Sequence, residues 1–146
     1  MVNMRVYLDT NILMDYLLPE RPCYEDATRI LEMAKDHMLE AFISTQSILD
    51  AYYSAGKFSR QPDRIKHVLH EITRFINVVD IHVFGVRKAL VSDERDVEDL
   101  AQAATAEREG CDVIITNDKD FPDYPETHPL KTMSSRSFVD VCRRAS

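Results

Sequence analysis

The sequence predicts an α/β domain, a three-layer α/β/α sandwich with a parallel sheet at its centre. Two observations carry this. Short apolar runs of strand length alternate along the whole chain with longer segments of helical periodicity. Strands joined through helices pair in parallel by right-handed crossovers, which lay the helices on both faces of the sheet. A third observation concerns function: two of the apolar runs, "VYLD" and "DVIITND", end on acids, Asp9 and Asp118. In open parallel sheets, ligands sit outside the carboxyl ends of strands where strand order reverses. The 146 residues suit a single domain over 1–146, long enough to bury a real core.

The elements follow in order. "MRVYLD" reads as a buried strand, and a short helix starts near Ile12 and stops before Pro19. "PCYEDATRILEMAKDHMLE" is strongly amphipathic, with Ala27, Ile30, Leu31 and Ala34 on one face. "EAFIST" is a second strand. The helix "TQSILDAYYSAGK" is expected to end near Gly56, a residue suited to a carboxyl cap. A turn from Arg60 to Pro62 opens the helix "PDRIKHVLHEITRF", which leads into a third strand, "INVVDI". Helices around "VFGVRKALV" and "DVEDLAQAATAEREG" come next, then the strand "CDVIITND". The loop "KDFPDYPETHP" precedes a short strand "LKTM" and a last helix around "SRSFVDVCRR".

With 45% apolar and 29% charged residues, the composition is that of a globular protein rather than a disordered one. No run reaches the length of a membrane span, and "MVNMRVYLDT" lacks the apolar stretch of a signal peptide, so a cytoplasmic location is expected. Cys23, Cys111 and Cys142 are odd in number and far apart, which reads as free thiols. The five histidines form no zinc pattern. A net charge of −7 speaks against a polyanionic ligand unless the acids converge on a cation.

Four acids, Asp9, Asp50, Asp99 and Asp118, are candidates for such convergence. Asp9 with Thr10 and Asn11, and Asp118 with Thr116 and Asn117, place a hydroxyl, an amide and a carboxylate just past apolar strands. Each group also reads as a helix cap or Asx-turn. Asp99 opens the helix face marked by Ala103, Ala104 and Ala106, whose small side chains permit close approach to the sheet. Asp96, one turn earlier, suits the amino-terminal cap. Asp50 stands inside a helix, where Asp is a poor choice. Two ionised carboxylates about 4 Å apart repel by roughly 4 kcal/mol at an effective dielectric near 20. Gathered acids therefore stay partly protonated or hold a cation, and all-oxygen ligands select a hard ion, Mg2+ or Mn2+.

At "YLDTNILMDYL", the acid in "ILDAYY", "DVEDLAQAATAEREGCDVIITNDKDF" and "LKTMSSRSFVDV", the chain resembles PIN-domain nucleases of the bacterial VapC-like toxin type over nearly its whole length. The resemblance implies a PIN-like fold and metal-dependent endoribonuclease activity. It matches Asp9, Asp99 and Asp118 to the family's acidic metal-site positions. Asp50 falls where the family more often has Glu, Thr116 at the strand-end hydroxyl, and Asn11 at the amide that organises the first turn; Asp96 is a secondary candidate ligand. Asn117 and Asp120 read as turn formers. The resemblance also implies an RNA substrate, a homodimer and a small antitoxin partner. Lys57, Arg60, Arg64 and Lys119 could line an RNA path, and Tyr52, Tyr53 and Phe58 read as core, as a subunit interface or as a base-stacking group. The alternative is a non-catalytic PIN-like module that binds RNA or a protein partner in the same crevice.

Overall fold

A computed structural model describes residues 4–93, 96–122 and 128–145. Its elements in chain order are β1 (Arg5–Leu8), α1 (Thr10–Leu17), α2 (Tyr24–Lys35), β2 (Glu40–Ser44), α3 (Thr45–Ser59), α4 (Pro62–Ile72), β3 (Asn77–Val79), α5 (Val83–Leu90), α6 (Val97–Arg108), β4 (Val113–Ile115), β5 (Lys131–Met133) and α7 (Ser135–Ala145). The five strands form one sheet in the order β3-β2-β1-β4-β5. Every pairing is parallel, with Val6 opposite Ala41 on one side and Val113 on the other. Strand order therefore reverses at β1, and the carboxyl ends of β1 and β4 lie side by side.

Alternation along β1 divides the core. Val6 and Leu8 join Ile12, Leu13, Ile30, Ile43, Ala51 and Phe138 in the larger apolar cluster on one face. Tyr7 points the other way, into a smaller cluster with Phe42, Ala103, Ala106, Ile114 and Leu130 beneath α6. Helix α5 packs on α6 rather than on the sheet, and the approach is close: a Cβ on Gly85 would lie 3.0 Å from that of Ala104.

Several boundaries differ from expectation. Helix α1 begins at Thr10 rather than Ile12, because Asp9 is already its amino-terminal cap. Helix α3 continues through Gly56 to Ser59, and Arg60 supplies the left-handed stop at φ 58°. Gly56 is an interior helical residue beside Pro62, the first residue of α4, where a Cβ would make an ordinary 3.5 Å contact. The third strand is trimmed to Asn77–Val79. Part of the expected 119–129 loop, residues 123–127, lies outside the described residues.

Candidate functional site

The backbone N–H of Asp9 donates to Ile115 O at 3.0 Å, carrying the β1–β4 ladder one residue past the strand. Its carboxylate is 7% exposed and heavily engaged. Oδ1 accepts the Thr10 N–H at 2.8 Å, and Oδ2 accepts the Thr116 hydroxyl at 2.7 Å and the Asn11 amide at 3.1 Å. Thr116 Oγ1 in turn accepts the Asp118 N–H at 3.1 Å, and Asn11 Oδ1 accepts the Asn117 N–H at 3.2 Å. The two strand ends are thus stitched together by side chains. Burial raises the Asp9 pKa; the Thr116 and Thr10 bonds oppose the shift, and the charges of Asp118 and Asp96 add to it.

Asp118 folds into its own turn, with Oδ1 accepting the Asp120 N–H at 2.9 Å. Across from it, Asp96 caps α6 by accepting the Asp99 N–H at 3.0 Å. The cap has no return bond from Asp99 Oδ2, which is buried without a hydrogen-bond partner. Asp96, Asp99 and Asp118 each offer an oxygen within 4.8 Å of the others. Asp99 carries the electrostatic consequence: its pKa is pushed up to about 8, first by burial, then by proton sharing with Asp96 and by the charges of Asp9, Asp96 and Asp118. A buried carboxylate oxygen with no donor, facing two more carboxylates, suits a cation. The residues present therefore fit a hard divalent ion, since the donors are all oxygen.

The structure does not bring all the candidates together. The closest group pairs Asp99 and Asp118 with Asp96, the secondary candidate. Asp9 stands behind it, close enough to bias its charge, with Asn11 and Thr116 bonded to it rather than aimed at the opening. Asp50 is exposed on α3 outside that group, although its charge reaches Glu98. Glu98 was not a candidate. Its pKa is raised by partial burial and by Asp50, Asp9 and Asp96, which places it electrostatically in the cluster. An acid in the first turn of a helix is ordinary, so nothing in the sequence singled it out.

Asp15 was also missed. It is buried, paired with Arg21 Nε at 2.6 Å, and accepts Asn117 Nδ2 at 2.9 Å. Asn117 is therefore more than the turn former expected. Its amide also bonds the Ser135 hydroxyl at 3.0 Å, and its Oδ1 accepts the Ser135 N–H at 3.0 Å, tying the end of β4 to α1 and α7. Of the basic residues, Arg64 is committed to Gln61 and the Leu17 carbonyl, whereas Lys119 is exposed beside Asp118.

Parallel strands that gather acids where their order reverses define an α/β domain with an acidic crevice, and the chain belongs to the PIN domain family, whose sequence profile matches residues 5–120. It is similar to Ribonuclease VapC1 of Aquifex aeolicus (strain VF5), with 27% identity over 125 residues that cover 80% of this chain and 83% of that protein. Among solved structures it resembles Mycobacterium tuberculosis VapC20, described as a sarcin-ricin loop cleaving toxin. That match has a TM-score of 0.63 and 14% identity, and covers 80% of this chain and 92% of the other. It also resembles VapBC2 of Rickettsia felis, solved with a promoter DNA fragment, at a TM-score of 0.63 and 19% identity over 90% of this chain and 98% of that one. The two structures establish a shared fold, and the expected PIN-like three-layer architecture holds.

Proposed function

We propose that this protein is a divalent-metal-dependent endoribonuclease, the toxin of a VapBC-type pair. The observation that carries the proposal is the convergence of oxygens from Asp96, Asp99 and Asp118 within 4.8 Å of one another, in a group whose Asp99 Oδ2 is buried without a hydrogen-bond partner. Likeness to a protein named as a ribonuclease supports the choice of RNA over other phosphodiesters.

In this reading Asp99, Asp118 and Asp96 hold Mg2+ or Mn2+, and Asp9 completes the set through whatever oxygen capacity its three bonds leave. A divalent ion there supplies charge for the phosphoryl oxygens and for activation of the attacking water. Thr116 and Asn11 act on Asp9: both hold its Oδ2 while the Thr10 N–H holds Oδ1, and together they remove the rotational freedom that would blur the site. Glu98 is near enough to Asp50 for that charge to raise its pKa, and either acid can accept a proton from the water or orient it. Lys119, exposed next to Asp118, offers a phosphate contact that positions RNA without reading its sequence.

An antitoxin that covers the crevice, a homodimeric assembly and a cytoplasmic location belong to the same proposal. Among the described residues, no helix is long and apolar enough to cross a membrane. The decisive assay measures RNA cleavage with Mg2+ or Mn2+ by the wild type and by Asp9→Asn, Asp99→Asn and Asp118→Asn. Each variant is expected to lose about 100-fold or more, as when a metal site is disrupted. Cleavage at equal rates in all four proteins would refute the assignment. RNA binding with no cleavage by the wild type would establish the binding-module alternative.

A further inference from the structure

A cavity of about 430 Å3 opens directly beside the acids, between the ends of β4 and β5. Thr116, Asn117 and Asp118 form one wall and so belong to both cavity and site. Phe121, Met133 and Cys23 supply most of the remaining surface, and Lys119 stands at its edge. The volume falls within the ~300–1,000 Å3 range of small-ligand pockets and is ample for one nucleotide.

The chemistry of the lining restricts what the cavity can recognise. Its polar walls are largely committed inward. Thr116 donates to Asp9, Asn117 is bonded to Asp15 and Ser135, and Ser134 accepts the Ser137 N–H at 3.1 Å as part of the start of α7. A thioether and a thiol are soft, polarisable surfaces that suit a π-face better than a hydrogen-bonding edge. The charged groups of the lining are the Asp118 carboxylate, shared with the acid site, and the Lys119 ammonium next to it in sequence.

We propose that this cavity is a nucleotide subsite that takes the ribonucleotide flanking the scissile phosphate, an inference that rests on the nuclease reading above. The base lies against Met133 and Cys23, and Lys119 holds the neighbouring phosphate. Recognition is by size and stacking, so the bias falls on base class at one position rather than on a longer motif.

Two measurements test this. In the first, adenosine and uridine 5′-monophosphates are titrated without divalent ions into protein labelled at its methionine methyls, with the Met133 signal assigned through Met133→Leu. The Met133 signal is expected to move. It should move equally in Asp99→Asn, and binding should weaken about fivefold in Lys119→Glu, the scale of one exposed charge contact. In the second, ends are mapped after Mn2+-dependent cleavage of a random RNA pool. One flanking position should be biased in the wild type and flattened in Met133→Trp, with the remaining positions unchanged. Cys23→Trp, on the same base-facing wall and half-exposed, serves if Met133→Trp does not fold. An unmoved methyl signal overturns the subsite whatever the cleavage result, and so does a flanking bias identical in wild type and variant. Absence of Asp99-dependent cleavage instead refutes the nuclease reading, and the methyl titration alone then decides the subsite.

Discussion

Asp99 is the residue where the electrostatics of the site concentrate, and its behaviour in metal-free protein has an unusual sign. Carboxylates paired with cations or hydrogen-bond donors ordinarily have depressed pKa values and stabilise a fold as pH rises. Here the folded value is about 8 against an ordinary 3.8, so between those limits the folded state binds a proton that the unfolded chain does not. Stability must then fall as pH rises through that window. Asp9, shifted upward by burial, adds to the same slope. Melting measured in chelator from pH 5 to 8 should show this decline, and Asp99→Asn should flatten it and raise the melting temperature at pH 8. Added Mn2+ should stabilise the wild type more at pH 8 than at pH 5, because proton and ion compete for the same oxygens. A melting temperature that rises with pH in chelator, or no response to Mn2+, would contradict the assignment of Asp99 to a cation site. Glu98 gives a second residue-scale expectation. Glu98→Gln should lower cleavage less than Asp99→Asn does while moving the pH–rate profile, as befits a group outside the ligand set.

At the scale of elements, the alternation of strands and helices was readable because period and length differ sharply between the two. The azimuth of a helix was not. Helix α3 buries Ser47, Ala51 and Ala55 and leaves Tyr52 partly and Tyr53 largely exposed, the reverse of what side-chain size suggests. Asp50, one position off that buried stripe, therefore faces outward, and no count of apolar residues would have revealed it. Asp96 escaped proper weight for a related reason. Its capping role was legible and true, but a cap at the amino end of α6 also sits at the mouth of the sheet, and one carboxylate serves both purposes. Asn117 illustrates a third limit, since its partners Asp15 and Ser135 are remote in sequence and only the fold brings them to it. Replacing it by Ala removes a donor to buried Asp15 and leaves the first N–H of α7 without its acceptor. The cost should be about 1–3 kcal/mol, read as a lower urea midpoint at unchanged m-value. A midpoint within error of wild type would show that α7 is held by Phe138 and Val139 alone.

On the whole molecule, the reversal of strand order at β1 does the assembling; the two acid-terminated runs mark strand ends, while the pairing that makes them neighbours emerges only in the fold. What the sequence left open was which outer surfaces would remain apolar. Leu49, Tyr52 and Tyr53 lie at i, i+3 and i+4 on α3, and Tyr53 is 67% exposed. On α5, Phe84 is 70% exposed and Val91, just beyond the helix, 85%. Apolar side chains grouped in this way mark interaction surfaces more often than bare solvent-facing ones. Light scattering at micromolar concentration is therefore expected to report a dimer, with Tyr53→Glu or Phe84→Glu shifting it toward monomer. A monomer for the wild type across that range would remove the homodimer from the proposed function.

The bond from Thr116 to Asp9 joins residues 107 positions apart, so the first acid to be synthesised waits for nearly the whole domain before it acquires its partners. A growing chain on the ribosome carries no working centre until β4 has emerged and docked beside β1. For a protein whose proposed target is RNA, that ordering delays any attack until the two strand ends have met.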